Sequence, residues 1–429
     1  MLWLLRSFLV VGVFIVSKCV GFVEYDLSSS SGSTWNVRNS DGSINVPASI
    51  PGLIHTDLLS AGILKENPYF RFNEVEQSWV CKEQYWVYST SFQIPELSSG
   101  GPLSIELAGV DTVGTIKIND YVIGRTENAF QTYIFEVPIE LITDTNTLSI
   151  EIASPITEAH NRAAAYTYSV PETENYNVWA EPSDRNFLRK AGCDFGWDWG
   201  PAYAPSGITG HVTLFHSTMG KLEGMTVLQS LATNYSKVTM NPRIRLANVK
   251  ATTEVNVLVT LDGVEVLNGV FTATPGSYTV LALGSFDIHQ PTLWFPVGFG
   301  EAFLYSVDVK VCPSFISSGA TGTQYKQQTV SCQTFSRRVG VREVLLIREY
   351  IDDDTFPLKA SNATHSRTAP SRYPARSLAM PQSPSTPLTL YEVPPQTYYF
   401  KVNGMPVFAR GANFIPIDSF SSRVTPSDR

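Results

Sequence analysis

The chain has 429 residues, a net charge of −8 and a high share of aromatic residues, 12%. This length allows two or three domains with sizeable cores. Charged residues make up only 16% of the chain, and a negative balance without a basic stripe argues against nucleic-acid binding. Many aromatic and few charged side chains together favour a β-rich extracellular or lumenal protein over a cytosolic helical one.

The first 21 residues are predicted to be a signal peptide. Arg6 precedes an apolar run at 8–16, and this run is too short to span a bilayer. Small residues follow at Cys19 and Gly21, so cleavage after Gly21 is expected, and an uncleaved anchor is the alternative. No later stretch is apolar enough to cross a membrane, so no membrane association is expected after cleavage.

Cleavage would leave four cysteines: Cys81, Cys193, Cys312 and Cys332. In an oxidising compartment four thiols allow three pairings. The best candidate pair is Cys312 with Cys332, because these two flank one short polar loop. No CxxC motif is present, so neither a metal site nor redox chemistry is predicted. Sequons at Asn234 and Asn362 predict N-glycosylation and fit passage through the secretory pathway.

Residues 22–218 are predicted to form an all-β domain of the jelly-roll type. Short alternating segments separated by Gly, Pro and Asn are typical of sandwiches and jelly rolls. They lie at 86–92, 104–107, 115–118, 121–124 and 148–152. Asn119-Asp120 predicts a hairpin turn, and one short helix is predicted over 55–63 with Thr56 as a candidate cap. The polar stretch 160–189 is long for a sandwich connection and indicates a functional loop.

The aromatic stretch 191–201 carries the most informative residues of this domain. Trp197, Asp198 and Trp199 alternate, which in an extended segment would place both indoles on one side. The flanking glycines and proline favour a bent loop instead. Flat rings can cover the apolar C–H faces of a sugar, and a carboxylate can accept hydrogen bonds from its hydroxyls. The alternative is a buried aromatic corner, with Asp198 bonded to backbone N–H groups.

Residues 219–345 are predicted to form a second, immunoglobulin-like sandwich. The segments 255–261 and 303–309 alternate with a period of two, and Asp262-Gly263 predicts a hairpin turn. Repeated short strands without helical periodicity are typical of that fold. Just before this unit, His211 and His216 lie five residues apart on a predicted strand, hence on opposite faces, which argues against a metal site.

Residues 346–397 shift to a composition rich in Ser and Pro and are predicted to be a disordered insert. The three aspartates at 352–354 within it are interpreted as a solvated acidic run rather than as a cation site. Order is expected to return at residue 398. There Asn403-Gly404 predicts a tight turn between two short strands.

Six blocks of sequence stand out beyond these patterns. They are NPYFRFNE at 67–74, FGWDWGP at 195–201, LWFPVGFG at 293–300, FSRRVGVR at 335–342, FKVNGMPVF at 400–408 and GANFIPID at 411–418. In this order they resemble the β-mannosidases, of the lysosomal type, among the retaining glycoside hydrolases built like β-galactosidase and β-glucuronidase. The resemblance implies a jelly-roll domain like a sugar-binding module, an immunoglobulin-like sandwich and a (β/α)8 barrel, whose truncated start would be residues 398–429.

The same resemblance implies roles for individual residues. Asp198 would hold a hydroxyl of a terminal mannose, and Trp197 and Trp199 would shape the wall around it. Asn413 and Asp418 fall in the motif of the first barrel strand, where the ends of barrel strands host active sites, so a supporting role in substrate binding is implied. In the same motif a phenylalanine replaces the family's tryptophan. The missing part of the barrel would be the natural packing partner of this chain.

The implied activity is the retaining hydrolysis of terminal β-D-mannose from the non-reducing ends of oligosaccharides and glycoproteins, in the lysosome and without a cofactor. Retention needs two carboxyl groups about 5–5.5 Å apart. The family's two glutamates lie on late barrel strands, so this chain is expected to be inactive as written. A stand-alone carbohydrate-binding module is the alternative. An immunoglobulin-like adhesion protein is less favoured, because an aromatic loop serves no purpose there.

Overall fold

The computed structural model describes residues 22–94, 101–171, 184–314, 331–349, 397–425 and 427. The predicted signal peptide, the sequon at Asn362 and nearly all of the Ser/Pro-rich stretch lie outside these residues. The described chain is mainly β, which confirms the predicted fold class. None of the helices within the described residues is both long enough and apolar enough to cross a bilayer.

Two antiparallel sheets form the first sandwich. The smaller sheet has the strand order β1 (Phe22–Asp26), β12 (Val212–Ser217), β6 (Leu103–Leu107) and β9 (Tyr133–Val137). The larger sheet has the order β3 (Asn45–Ala48), β2 (Trp35–Asn39), β5 (Tyr85–Phe92), β10 (Asn146–Ala153), β7 (Gly114–Ile118) and β8 (Tyr121–Thr126). A separate two-stranded ladder joins β4 (Gly52–Leu53) and β11 (Gly207–Ile208).

Alternation along the strands explains how these sheets pack. On β10, Leu148, Ile150 and Ile152 are fully buried, and the residues between them face outwards. Ile105 and Leu214 of the smaller sheet belong to the same core. Burial of each such side chain stabilises the fold by about 1.5–3 kcal/mol. Since a one-residue slip would turn this apolar set to solvent, the pattern also fixes the strand register.

The second sandwich is built in the same way. One sheet has the order β13 (Lys221–Leu231), β14 (Lys237–Val249) and β17 (Gly276–Ala282), and β18 (Phe286–His289) also pairs with β14. The other has the order β16 (Val264–Ala273), β15 (Thr253–Leu261), β19 (Tyr305–Pro313) and β20 (Gln333–Val339). Alternate valines of β15 and β19 fill the core between the sheets, against Met240 and Ile244 of β14.

A third, three-stranded antiparallel sheet joins distant parts of the chain. Its order is β21 (Val344–Ile347), β22 (Tyr399–Val402) and β23 (Met405–Val407). Asn403 ties this sheet to the second sandwich, because its amide donates to the carbonyl of Trp294 (3.0 Å) and its side-chain oxygen accepts from the N–H of Glu343 (2.9 Å). Residues 408–420 are described without any regular strand, so a barrel strand in this region stays a prediction.

The three predicted tight turns are confirmed as hairpin connections. They join β7 to β8, β15 to β16 and β22 to β23. Both central residues of each turn have positive φ, as type I′ turns require: 47° and 68° at Asn119-Asp120, 47° and 83° at Asp262-Gly263, and 48° and 77° at Asn403-Gly404. Asn, Asp and Gly adopt this conformation with the least strain.

In the part of the chain that the structure describes, three α-helices interrupt the strands: α1 (Ile54–Ser60), α2 (Asn73–Glu76) and α3 (Pro155–Ala165). Six short 3-10 turns accompany them at Ser29–Ser31, Val80–Lys82, Ile139–Leu141, Arg185–Phe187, Gly192–Phe195 and Ser421–Arg423. The helix predicted over 55–63 exists but ends at Ser60. The N-cap residue is Leu53 and not Thr56. Thr56 lies in the first turn, where its hydroxyl donates to the carbonyl of Leu53 (2.6 Å) and accepts from the N–H of Leu53 (3.3 Å).

The prediction of a loop from residue 160 onwards was wrong for its first six residues, which belong to α3. This helix begins with favourable local chemistry. The hydroxyl of Ser154 accepts from the N–H of Thr157 (3.2 Å), and Pro155 occupies the first helical position. Glu158 and Arg162, four residues apart, form an ion pair at 2.7 Å. The Ser-Pro cap and the spacing of Glu158 and Arg162 are the signals in the sequence that indicate this helix.

The predicted disulfide between Cys312 and Cys332 is confirmed. It links the end of β19 to the start of β20 across a sequence separation of 20. Replacing both cysteines by serine is expected to lower the free energy of unfolding by about 3 kcal/mol, because the bond restricts the unfolded chain. Urea unfolding of the oxidised wild type and the double serine variant measures this. As a control, the same substitution at the unpaired Cys193 should leave the disulfide and its contribution intact.

Candidate functional site

The aromatic stretch folds into a tight turn at residues 197–200, called here the aromatic turn. The N–H of Trp197 donates to the carbonyl of Gly200 (3.0 Å), and the N–H of Gly200 donates back to that of Trp197 (3.3 Å). Asp198 and Trp199 therefore stand at its tip. Asp198 is exposed, and the indoles of Trp197 and Trp199 are 38% and 39% exposed. The predicted bent loop is thus confirmed, and only Phe195 is buried as a core aromatic.

An arginine braces the aromatic turn from the side. The guanidinium of Arg185 lies 5.5 Å from the centre of the Trp197 ring, within the range of a cation–π interaction. It also donates to the carbonyls of Gly192 (3.2 Å) and Gly196 (3.4 Å). These contacts do not involve the tip of the turn, where Asp198 and Trp199 are exposed.

A buried ion cluster lies beneath the aromatic turn. The ammonium of Lys190 is fully buried and contacts the carboxylates of Asp111 and Asp194, the latter at 2.7 Å. It also donates to the carbonyl of Pro205 at 2.6 Å. Burial acts to lower the pKa of Lys190, but the two carboxylates outweigh this effect and raise it. Burial raises the pKa of Asp194, although the ammonium opposes this. Lys190 is therefore protonated at physiological pH.

A cavity of about 320 Å³ opens beside the aromatic turn. Its lining combines flat rings with carboxylates and includes residues of the first sandwich and of the C-terminal stretch. The rings are those of Trp199, Phe130 and Tyr203, the carboxylates are those of Asp111, Asp194 and Asp418, and the C-terminal stretch adds Pro416, Ser419 and Ser421. This composition suits a ligand that has both apolar faces and hydroxyl groups.

The C-terminal wall of the cavity is held by residues 416–423, called here the docked segment. Asp418 accepts hydrogen bonds from the hydroxyl of Tyr69 (2.8 Å) and from the N–H of Phe420 (2.8 Å). Its other oxygen accepts from the guanidinium of Arg423 (2.9 Å). Both carboxylate oxygens are thus engaged within the protein, and Asp418 shapes the wall through these bonds.

Phe420 anchors the docked segment in an aromatic socket. Its side chain is 0% exposed. Its ring centre lies 4.8 Å from that of Tyr203, 5.0 Å from that of His55 and 6.4 Å from that of Tyr69. The two ring nitrogens of His55 are without a hydrogen-bond partner among the described residues, and burial lowers the pKa of this histidine to about 3. His55 therefore behaves as a neutral aromatic ring.

The structure brings together some of the residues predicted for the site. Trp199 and Asp418 line the cavity, and Asp198 and Trp197 lie on the adjoining aromatic turn. Asn413 lies on an exposed stretch and is not part of the cavity lining. Asn234, the sequon within the described residues, is exposed in the turn between β13 and β14, where its side-chain oxygen accepts from Ser236. Its glycosylation stays a prediction.

Sequence reasoning missed several residues that build this region, namely Lys190, Asp111, Tyr203, Phe420 and His55. A lysine next to the aromatic stretch with an aspartate four residues later was a usable signal. Asp111, which is 79 residues away from Lys190, and Phe420, which joins a distant socket, gave none. Within the described residues no three His, Cys, Asp or Glu side chains converge as a possible metal site.

Comparison with known proteins finds similarity to one family model and to several named proteins. Residues 35–210, which include the aromatic turn and the ion cluster, match the glycosyl hydrolase 2 galactose-binding domain-like family. Over 99% of its length the chain is 28% identical to mouse (Mus musculus) beta-mannosidase, and over 93% it is 25% identical to a probable beta-mannosidase of Caenorhabditis elegans. The chain is similar to β-mannosidases along nearly its whole length.

Solved structures agree with this kinship. The crystal structure of the beta-D-mannosidase from Dictyoglomus thermophilum superposes with a TM-score of 0.71 at 26% identity, over 95% of this chain and 42% of that one. The exo-chitosanase of Amycolatopsis orientalis, at 14% identity and a TM-score of 0.57 over 93% of this chain and 38% of that one, shares the fold. The chain spans about two fifths of its curated β-mannosidase relatives, 42% for mouse and 39% for C. elegans.

Proposed function

We propose that this chain forms the sugar-facing part of a β-mannosidase that removes terminal β-D-mannose from the non-reducing ends of oligosaccharides and glycoproteins. The observation that carries the proposal is the exposed Trp-Asp-Trp turn beside a cavity walled by aromatic rings and carboxylates. The kinship with β-mannosidases supports it. Trp199 would cover an apolar face of the mannose ring, and the carboxylate of Asp198 would accept hydrogen bonds from its hydroxyls.

The carboxyl pair that cleaves the glycosidic bond is not assigned to residues of the cavity. Retaining hydrolysis requires one carboxyl group as nucleophile and a second as acid and base. Asp111 and Asp194 both contact Lys190, and Asp418 is bound by Tyr69 and Arg423. These carboxylates are therefore suited to holding structure and substrate. We propose that glutamates on later barrel strands supply the chemistry, with retention of configuration, and that Asn413 and Asp418 support the substrate from the barrel side.

A stand-alone carbohydrate-binding module is the second candidate. It is favoured by the fact that the aromatic turn and the cavity lie within the described residues. An adhesion protein of the immunoglobulin type is less favoured, because it leaves the exposed aromatic turn without a role. Release of nitrophenol from p-nitrophenyl β-D-mannoside by the purified protein would distinguish the enzyme from the module. A calorimetric titration with mannose would then distinguish the module from the adhesion protein, which should give no saturable heat.

We propose that the protein works in the secretory pathway or the lysosome. The Cys312–Cys332 disulfide supports an oxidising compartment, and an exposed sequon at Asn234 fits the same route. Tryptic glycopeptide mapping of protein secreted by animal cells should find a glycan on Asn234. An unmodified Asn234 peptide in fully secreted protein would count against this route of maturation.

Replacing Asp198 by asparagine should weaken recognition of mannosides without disturbing the fold. Asp198 is exposed at the tip of the turn, so its loss should leave the thermal midpoint unchanged. The kcat/KM for a β-mannoside, or the affinity for methyl β-D-mannoside if the chain only binds, should fall about tenfold or more, which corresponds to about 1.4 kcal/mol. Asp144→Asn, at an exposed turn of the same sandwich, is the matched control. Unchanged recognition with a lowered thermal midpoint would show that Asp198 is structural.

A further inference from the structure

The side chain of Lys190 is the most deeply buried charge near the aromatic turn, at 0% exposure. Lysine is almost never fully buried unless it is paired. Its ammonium carries three protons, and it meets three acceptors: the carboxylate of Asp111, the carboxylate of Asp194 and the carbonyl of Pro205. Each proton of the ammonium therefore has an acceptor, and these bonds fix the positions of the three acceptor segments relative to one another.

The three acceptors lie on segments that enclose the aromatic turn. Asp194 lies three residues before its start, and Pro205 follows five residues after its end. The N–H of Ala204 also donates to the carbonyl of Asp194 (2.7 Å). Asp111 connects the cluster to the sandwich, because it lies on the chain between β6 and β7. Its backbone also exchanges two hydrogen bonds with that of Gly207 (2.9 and 3.1 Å). One ammonium thus joins both ends of the stretch 194–205 to the body of the domain.

Other anchors also hold this stretch: the guanidinium of Arg185 donates to the carbonyls of Gly192 and Gly196, and the hydroxyl of Tyr203 donates to the carbonyl of Pro68 (2.8 Å). Between the end of α3 and the start of β11 the described residues include no named strand, so the turn is not held by a sheet ladder. Phe195 and Ala204 pack in a small apolar cluster, and apolar contacts of this kind are non-directional. Charge-assisted hydrogen bonds impose distance and direction. Among these anchors the ion cluster is the one that joins both ends of the stretch to Asp111. The position of Trp199 over the cavity should therefore respond most to a change in this cluster.

We propose that Lys190 is the positioning residue of the sugar site: its buried ammonium sets where the aromatic turn stands over the cavity. The proposal rests on the proposed function for the sugar, but the placement of the turn can be tested without one. A neutral side chain at this position would leave the carboxylates of Asp111 and Asp194 close together without a counter-ion. Their mutual repulsion and their need for water would then separate the two ends of the stretch.

The test compares Lys190→Met with Lys221→Met in the full chain. Lys221 is a fitting control, since it is also largely buried and also pairs with two carboxylates, Glu24 (3.1 Å) and Glu106 (2.9 Å), at the base of the second sandwich. In Lys190→Met, amides at 192–204 should exchange hydrogen at least tenfold faster, with strands β5 and β10 unchanged. Affinity for methyl β-D-mannoside should fall at least tenfold. Lys221→Met should change neither quantity.

A charge-free variant keeps the test decisive if Lys190→Met does not fold. Lys190→Met combined with Asp111→Asn and Asp194→Asn removes all three charges, so no carboxylate is left buried alone. It should fold, with fast exchange at 192–204 and weak mannoside binding. Wild-type exchange at 192–204 in this variant, or fast exchange with wild-type mannoside affinity, would overturn the proposal. If the wild-type chain binds no mannoside, the proposed function fails, and the exchange data still decide whether Lys190 places the turn.

Discussion

Replacing Phe420 by alanine should detach the docked segment from the first sandwich. The phenyl ring fills a socket formed by His55, Tyr69 and Tyr203 and is 0% exposed. Truncating a buried phenylalanine to alanine costs about 3–5 kcal/mol, from lost transfer energy and from the cavity that remains. The hydrogen bonds that would remain between the segment and the sandwich join Asp418, Ser419 and Arg423 to the hydroxyl of Tyr69, and Ser422 to that of Thr56, and all lie near the surface. They contribute too little to hold it alone.

The loss should be local, because the segment lies near the end of the described chain. Hydrogen exchange at 418–424 should become nearly as fast as in an unstructured peptide, while the amides of β5 and β10 keep their protection. The cavity would lose the wall formed by Pro416, Ser419 and Ser421. Phe414→Ala is the matched control: this phenylalanine lies on the same stretch but is 80% exposed, so its removal should change little. Protected amides at 418–424 in Phe420→Ala would contradict the socket.

The parts of the fold that sequence reasoning predicted are those encoded locally. A period of two along β10 and β15 specifies buried strands, and Asn-Asp, Asp-Gly and Asn-Gly pairs specify hairpin turns. The Cys312–Cys332 pair was predictable for a similar reason, since both cysteines flank one loop. Where local signals compete, prediction failed: residues 160–165, the polar, alanine-rich second half of α3, resemble a loop unless the Ser-Pro cap before them is given weight.

Only the exposed part of the candidate site, the aromatic turn, could be predicted from the sequence. The Trp-Asp-Trp turn is visible in the sequence, because its rings and carboxylate are adjacent along the chain. The half beneath it is assembled from residues that are far apart, such as Asp111 with Lys190 and Phe420 with His55. No local pattern specifies which lysine will be buried with which aspartate, since burial is set by the packing of the whole sandwich. The charge cluster and the socket therefore required the structure.

The largest pH effects on stability should come from two buried neighbours on α1, with opposite signs. Burial raises the pKa of Asp57 to about 7, although a backbone N–H of Ser49 and the hydroxyl of Tyr88 oppose this. Because the folded state binds this proton more tightly, stability falls as pH rises from about 4 to about 7. Burial lowers the pKa of His55 to about 3, so its contribution is lost as pH falls below about 6.5. In the wild type the two trends largely cancel between pH 4 and 6.5.

Asp57→Asn should remove the loss of stability that Asp57 causes as pH rises and leave the opposite effect of His55. Relative to wild type, its free energy of unfolding should rise by roughly 3–4 kcal/mol between pH 4 and pH 7.5, because the buried carboxylate no longer has to ionise. For His55→Leu the free energy of unfolding relative to wild type should instead be higher at low pH and fall as pH rises. Urea unfolding at pH 4, 5.5 and 7.5 measures both slopes independently of any constant packing cost.

Asp287→Asn serves as a control, since hydrogen bonds from Thr239 and Lys237 lower the pKa of this exposed carboxyl. The difference in free energy of unfolding between Asp287→Asn and wild type should not change between pH 5.5 and 7.5. If the difference for Asp57→Asn is equally independent of pH, Asp57 is ionised in the folded protein.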